Sequence, residues 1–464
     1  MGTPRGRYTL LATILGSGLA MLDSTVVNIA LPTIGRDFDA GLGALQWCVN
    51  AYTLTLSGLL LLGGALGDRY GRRRIYVIGI AWFALASLAC GIAPSVETLI
   101  AARALQGVGA ALLVPGSLAL IEASFVATDR GAAIGAWSGL GSVAAAIGPF
   151  LGGYLIDAVS WRLVFFINLP LAAAAVLIAT RHVPESRDPG AQGRALDVRG
   201  GVLVAFGLAG VTYALSEGPR SGFGQPFVLL AGLAGLVGLV AFVLAEHTSP
   251  NPLAPLEMFR SRQFSAANAA TFVVYAALVG ALFLLPIQLQ QVVDLTPLES
   301  GAAIVPLTLV MLVLSSRSGR IAGKIGPRLP MTVGPIVMGL GLVLLSRVDA
   351  GAGYVADVLP GVLVFALGLA ATVAPLTTTV LAAASENRTG VASAINNDIA
   401  RIAGLVAVAL LPTLAGIGEH DFDDPAAFSH GFHRAFLISA ALCVAGGLLS
   451  FATIRRGDLT ASGA

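Results

Sequence analysis

Asp23 is an acid near the middle of an apolar run, which makes it the first residue in the chain to suggest chemistry. It lies about fifteen residues into that run, which at 1.5 Å per residue is close to mid-bilayer depth. A carboxylate there costs roughly 2.5–3.5 kcal/mol on insertion scales, so an intramembrane acid is a functional candidate by default. Desolvation favours its neutral form and a nearby cation its charged form, the balance a proton carrier needs. Arg103 in the fourth run is the available cation, and Gln106 follows one turn later. The plainer reading is that Asp23 and Arg103 only pair to hold two helices together. Asp398 is a second acid, three residues before Arg401 on one helical face, with Asn396 and Asn397 beside it. Either Arg401 neutralises it, or it is a separate acid that binds cationic cargo or takes a second proton. The adjacent polar side chains Asn28, Gln106, Asn397, Asp398 and Arg401 are the candidates for lining a substrate cavity.

Other reactive residue types point nowhere in particular. Cys48, Cys90 and Cys443 fall in apolar runs and form no CxxC pair, so neither metal nor redox chemistry is expected. His420, Asp421, Asp423, Asp424, His430 and His433 have metal-binding side chains without a recognisable ligand spacing, and no metal is expected. All five histidines lie at run ends or in loops, which disfavours a membrane-embedded enzyme. Lys324 is the only lysine and Ile325 follows it, so the chain has no G-K-[ST] phosphate loop. If the protein pumps, its energy comes from an ion gradient or a partner chain. Gln288, Gln290 and Gln291 end a later run and read as interfacial, or as the lining of an outward mouth.

The elements that must position these residues follow from composition. Of 464 residues, 56% are hydrophobic and only 11% are charged, less than half the charged share of a soluble domain. The chain is expected to cross a membrane many times, and a net charge of +2 gives no reason to expect nucleic acid. The first apolar run contains Asp23 and lacks a small-residue cleavage site, so it reads as a retained helix. Runs near the 20 residues needed to span a bilayer fall at about 8–31, 45–67, 75–93, 96–124, 131–156, 162–180, 200–216, 226–245, 264–291, 300–318, 329–348, 356–384, 391–417 and 432–454. With both termini cytoplasmic, 20 of the 27 basic residues fall on the cytoplasmic side, Arg455 and Arg456 among them.

One turn occurs twice. Gly64-Ala65-Leu66-Gly67-Asp68-Arg69-Tyr70-Gly71-Arg72-Arg73 follows the second run, and Gly319-Arg320-Ile321-Ala322-Gly323-Lys324-Ile325-Gly326-Pro327-Arg328 follows the tenth. Gly71 aligns with Gly326, and the acid Asp68 becomes Gly323. A repeated turn implies two related halves, the construction of many secondary transporters. Six helices repeated around an inserted pair divide the chain into 1–190, 191–250 and 251–464, with a Pro- and Gly-containing linker (Pro184, Pro189, Gly190, Gly193) at the first break.

These motifs together resemble the major facilitator superfamily, in its fourteen-helix drug:proton antiporter branch. The resemblance rests on Asp23-Ser24-Thr25-Val26-Val27-Asn28-Ile29-Ala30-Leu31-Pro32, the Gly64–Arg73 turn, Arg103-Ala104-Leu105-Gln106-Gly107-Val108-Gly109, Gly148-Pro149-Phe150-Leu151-Gly152-Gly153, and Trp161-Arg162 through Asn168-Leu169-Pro170. It implies an all-α membrane protein with the major facilitator fold, two six-helix bundles plus two inserted helices. It gives Arg103 a part in proton coupling. It also makes Asp68 and Arg72 a cytoplasmic gate lock that pairs with an acid at the end of the fourth helix, Glu122 as the better match and Asp129 as the second. Arg73 and Arg74 read instead as a solvated turn. The Gly148, Pro149, Gly152 and Gly153 pattern is associated with exporters; Pro149 removes a backbone donor and is expected to bend its helix, while the glycines admit a neighbouring backbone.

The expectation is a monomeric, proton-driven antiporter in the cytoplasmic membrane, moving a lipophilic drug-like or antibiotic molecule outward with no cofactor beyond the proton gradient. Its bundles would rock about a central site and expose Asp23 alternately to each side. The same motifs would suit an exporter of an endogenous lipid or metabolite, since they encode coupling and gating and are silent on cargo.

Overall fold

The computed structural model describes residues 4–188, 190, 196–384, 388–418 and 420–454. Pro189, Gly193 and Arg194 of the linker, and Arg455 and Arg456, lie outside the described residues. Among those described there are fourteen helices long and apolar enough to cross a membrane. They are α1 (Pro4–Phe38), α2 (Leu42–Tyr70), α3 (Arg72–Gly91), α4 (Val96–Ser124), α5 (Asp129–Ala158), α6 (Leu163–His182), α7 (Val198–Ser221), α8 (Pro226–Thr248), α9 (Arg262–Gln291), α10 (Pro297–Ile325), α11 (Arg328–Leu345), α12 (Tyr354–Ala382), α13 (Thr389–Leu414) and α14 (Pro425–Thr453). Most begin or end several residues beyond the apolar runs, because polar ends continue the helix and cap it. At α10, the Thr296 hydroxyl accepts from the Glu299 N–H and the Glu299 carboxylate accepts from the Thr296 N–H, so the helix starts at Pro297. α6 is interrupted at Ile167, between Leu163–Phe166 and Asn168–His182.

The chain forms two compact units, Met1–Leu253 and Ala254–Ala464. The inserted pair α7–α8 belongs to the first unit, and glycine is the reason. A Cβ on Gly58 of α2 would lie 2.8 Å from the Cα of Ala205 on α7, so the two backbones touch there. Gly201 of α7 fits against Leu62 in the same way. Between α7 and α8, a Cβ on Gly210 would meet the Ala231 carbonyl oxygen and one on Gly235 would approach the Val211 nitrogen. Small residues that let backbones approach are the main source of helix association where lipid replaces water. The glycines of the short seventh apolar run, 200–216, are therefore its packing surface. A polar clamp closes one end of the α2–α7 contact, where the Trp47 indole N–H and Arg220 Nη1 both donate to Glu217 Oε1, at 3.1 and 3.0 Å. The far face of α8, with Phe227, Leu230, Val237 and Leu244, is left bare, as suits a helix against acyl chains.

Replacing Gly58 by leucine forces α2 and α7 apart, and overpacking of this kind costs about 1–3 kcal/mol. Gly58→Leu is expected to lower the thermal unfolding temperature of the purified protein by several degrees. Gly139→Ala, at a position with nothing within 4 Å, should leave it nearly unchanged. Equal melting of the two variants would show that the inserted pair does not lean on α2.

Candidate functional site

Asp23 stands near the midpoint of the 35-residue helix α1 and is completely buried. Its carboxylate is the centre of a closed set of donors. Arg103 Nη1 is 2.5 Å from Oδ2, Gln106 Nε2 is 2.7 Å from Oδ1, and Asn168 Nδ2 is 3.0 Å from Oδ1. Arg103, 1% exposed, is held in turn from several sides. Its Nη1 also donates to Gln106 Oε1 (2.7 Å), its Nε donates to the Cys48 carbonyl (3.0 Å), and its guanidinium carbon sits 4.3 Å from the Tyr52 ring centroid. Charged groups taken out of water are tolerated only when paired and hydrogen-bonded, and a cation over an aromatic face adds to that. The structure thus brings Asp23, Arg103 and Gln106 together, and it gives Gln106 a different place from the one expected. Both ends of its amide are taken up by the ion pair.

Local sequence explains how five helices converge on one carboxylate. Gly107 of α4 lies so close to the Tyr52 carbonyl of α2 that a side chain there would collide with it, and Thr55 Oγ1 donates to the Ala104 carbonyl at 2.7 Å beside it. That contact delivers Arg103 and Gln106 from α4. On the other side of α1, Cβ atoms at Gly148 and Gly152 of α5 would strike Thr25 and Val26, two and three residues from Asp23. The glycine pattern therefore seats α1, while α5 continues as a helix through the buried Pro149, with Gly153 also buried. The interruption of α6 at Ile167 brings Asn168 in at the start of a new helical segment, where Nδ2 also donates to Ser87 Oγ (3.0 Å) of α3. Asn168 was visible only as part of a motif, with no role attached. Just before α6, Trp161 Nε1 and Arg162 Nη1 both donate to Asp37 of α1, at 2.9 and 3.0 Å. Asn28, one and a half turns beyond Asp23, is half-buried with an unpartnered Oδ1.

The second unit has a different arrangement. Asn396 Nδ2 of α13 donates to Asn268 Oδ1 (3.0 Å) and Thr271 Oγ1 (2.7 Å) of α9, and all three are buried. Asp398 is 7% exposed, and its Oδ1 has no hydrogen-bond partner. Among the described residues no ion pair within 4.0 Å joins Asp398 to Arg401, so the i,i+3 spacing does not produce the expected neutralising contact. Asn397 is exposed and turns back on Ser393 of its own helix. Gln288 and Gln290 are buried rather than interfacial. Gln288 Nε2 donates to the Val348 carbonyl (2.8 Å) and to Ser429 Oγ (3.0 Å), and that hydroxyl donates to Asp349 Oδ1 (2.9 Å). The Ala350 N–H and the Ser429 hydroxyl hold Asp349 below the usual carboxylate range. Asp424 caps α14 by accepting from the N–H groups of Ala426 and Ala427.

The turn between α2 and α3 is organised by a residue outside the motif. Asp68 and Arg72 pair at 2.8 Å, and Arg72 Nη1 reaches the Ala119 carbonyl of α4 at 3.4 Å. Glu122, one turn further along α4, is half-buried and makes no ion pair or hydrogen bond among the described residues. An acid that meets the motif is Glu185, in the segment after α6. Its oxygens accept from the Arg73 and Arg74 N–H groups (3.0 and 3.1 Å), and Arg73 Nε lies 3.8 Å away. A carboxylate at a helix N-terminus satisfies donors that have no partner within the helix and complements the helix dipole. The Arg72 N–H to the Ser186 carbonyl (2.9 Å) and the Asp188 N–H to the Asp68 carbonyl (3.0 Å) complete a strap across the turn. Gly71, with φ +119°, is required twice over: a Cβ there would be strained and would lie 2.8 Å from the Glu185 carboxyl carbon. Arg73 is thus engaged, while Arg74 has an exposed side chain.

Comparison with known proteins bears on what this arrangement belongs to. The multidrug resistance protein Stp of Mycobacterium tuberculosis (strain CDC 1551 / Oshkosh) is 36% identical over 404 residues, covering 87% of this chain and 74% of its own. The puromycin resistance protein pur8 of Streptomyces alboniger is 35% identical over 451 residues, covering 95% and 89%. The methylenomycin A resistance protein of Streptomyces coelicolor (strain ATCC BAA-471 / A3(2) / M145) is 33% identical over 455 residues, covering 97% and 93%. Among solved structures, a POT family transporter in complex with 5-aminolevulinic acid superposes with a TM-score of 0.73 over 99% of this chain and 98% of its own, at 13% identity, and so shares the fold. The Major Facilitator Superfamily profile matches residues 13–408. With fourteen apolar helices, a buried Asp23–Arg103 pair and likeness to these proteins over most of its length, the chain belongs to the Major Facilitator Superfamily.

Proposed function

We propose that the protein is a proton-coupled antiporter that exports drug-like or antibiotic small molecules across the cytoplasmic membrane. The observation that carries the reading is the fully buried Asp23 carboxylate bonded to Arg103, Gln106 and Asn168. Ionised, it neutralises Arg103. Protonated, it leaves Arg103 without a counter-charge in an apolar setting, so the network must rearrange each time a proton arrives or leaves. That is a means of tying a proton to a conformational step. The resistance proteins to which the chain is similar support drug-like cargo, and the arginine distribution supports cytoplasmic termini. Efflux from cells with and without the protein, against a panel containing puromycin, methylenomycin A and a cationic dye, tests the cargo class. Wild-type sensitivity to every compound on expression would reject drug export.

Asp23→Asn keeps the shape of the side chain but cannot release a proton. In proteoliposomes it should reduce uphill efflux to background while the protein still folds and binds cargo. Efflux that follows an imposed proton gradient at the wild-type rate would remove Asp23 from coupling.

Asp398 in the second unit is proposed to take either cationic cargo or a further proton, because its buried Oδ1 is unpaired. Asp398→Asn should impair export of cationic compounds selectively. A loss equal for all substrates, in proportion to folded protein, would make it a structural residue.

The turn between α2 and α3 is proposed to lock the cytoplasmic side through Asp68, Arg72 and the Glu185 strap. Losing a capping carboxylate costs about 1 kcal/mol, so Glu185→Ala should make Arg187 roughly fivefold more susceptible to trypsin. Glu122→Gln should not. Indistinguishable digestion of Glu185→Ala and wild type would mean that the strap is held by other contacts.

A further inference from the structure

The donors around Asp23 raise a question that the antiporter reading, on which this inference rests, leaves open: what accepts the new O–H when the acid is protonated? Arg103 has only donors to offer. Gln106 has a carbonyl oxygen, but it already accepts from Arg103 Nη1 (2.7 Å) and from the Cys90 thiol (3.6 Å). Turning that amide over would set its NH₂ group against the guanidinium. The third partner is Asn168. Its Nδ2 donates to Asp23 Oδ1 and to Ser87 Oγ, both at 3.0 Å, while the Ser87 hydroxyl itself donates to the Phe165 carbonyl at 2.9 Å. Its Oδ1 is buried and has no hydrogen-bond partner, in a residue with no exposed surface. A buried polar atom without a partner costs free energy and calls for an explanation.

We infer that Asn168 is the positioning residue that lets Asp23 change protonation state inside its closed shell. Its amide donates to the carboxylate in one orientation and accepts from the carboxylic acid in the other. In the ionised state the NH₂ group faces Oδ1. When a proton binds Oδ1, a half-turn of the amide about its terminal torsion brings the idle Oδ1 of Asn168 into the same position, 3.0 Å from the acid. The unpaired acceptor of the ionised state is thus the acceptor of the protonated one. Among the described residues, the charged or titratable groups at this carboxylate are Arg103 from α4 and Cys90 from α3, with Cys48 and Tyr52 from α2 beside Arg103. On α5, the residues against α1 beside it are the glycines Gly148 and Gly152.

The test is infrared difference spectroscopy of the full-length protein in lipid nanodiscs, titrated in pH without added cargo. The carboxylic acid C=O band of Asp23 is identified by its loss in Asp23→Asn. In the wild type this band is expected at the wavenumber of an acid whose O–H is hydrogen-bonded. In Asn168→Leu it should move to higher wavenumber as the acceptor is lost. Its titration midpoint should rise by about one unit or somewhat less, since the bond lost by the charged form is the stronger of the two. Asn168→Ala is judged by the same criteria if the leucine variant does not fold. A wild-type band at the free-acid wavenumber overturns the inference, and so does a variant whose midpoint rises while its band stays in place, because the amide would then only donate. Absence of any titrating band lost in Asp23→Asn would instead overturn the coupling role of Asp23 itself, a result distinct from failure at Asn168.

Discussion

Five helices of the first unit are held by one requirement, that a fully buried carboxylate and the guanidinium beside it have their charges and hydrogen bonds matched. Each charge taken out of water costs several kcal/mol even after relaxation, and mutual attraction offsets this only when the remaining donors and acceptors are also satisfied. Asp23 brings α1, Arg103 and Gln106 bring α4, the Cys48 carbonyl and Tyr52 ring bring α2, and Asn168 brings α6. Ser87 and Cys90 attach α3 through the two amides. Apolar packing between helices is weakly directional in a bilayer, because lipid tails are as apolar as the helix faces. The polar cluster supplies direction, and the glycines at 107, 148 and 152 let the backbones come close enough to form it.

The second unit shows what happens when that requirement is relaxed. The buried set of Asn268, Thr271 and Asn396 is neutral, so it costs less to bury, and it joins two helices, α9 and α13. Asp398, the buried acid among its described residues, stands apart from that set, with an unpaired oxygen. The two units differ in where charge is buried.

Much of this was legible in the chain, for identifiable reasons. Fourteen spans could be read because a bilayer demands about twenty apolar residues in a row, a signal no polar loop imitates. Asp23 and Arg103 could be paired because they are the acid and base most deeply set in early spans. What could not be read depends on partners distant in sequence or on side chains with more than one use. Gln288 meets Val348 and Ser429, 60 and 141 residues away, and its place near a span end suggested an interface or an outward mouth. Gln106 lies on the right face for a cavity, and nothing local reveals that both ends of its amide are occupied. Glu185 sits in a segment with no periodicity, where one carboxylate looks like any other. The lack of a direct Asp398–Arg401 contact has the opposite reason: i,i+3 spacing permits contact and does not compel it.

The repeated turn shows how duplication can keep a backbone while electrostatics diverge. Gly71 and Gly326 both have positive φ, +119° and +85°, so each copy reverses the chain in a conformation that other residues resist. In the first copy Asp68 anchors Arg72, and the Glu185 carboxylate occupies the start of α3. In the second, Gly323 replaces the acid and Pro327 replaces the arginine, so no ion pair can form within the turn. Pro327 also has no backbone N–H to offer a strap at the position where Arg72 bonds Ser186. The remaining cation turns elsewhere: Arg328 Nε donates to the Phe451 carbonyl at 2.9 Å and its guanidinium lies 4.3 Å from that ring, tying α11 to the end of α14. The first turn is thus joined to a linker through ionisable groups, and the second to a helix end through a carbonyl and an aromatic ring. Among the described contacts, those of the first turn include carboxylates that protonation could release, the asymmetry on which the proposed lock rests.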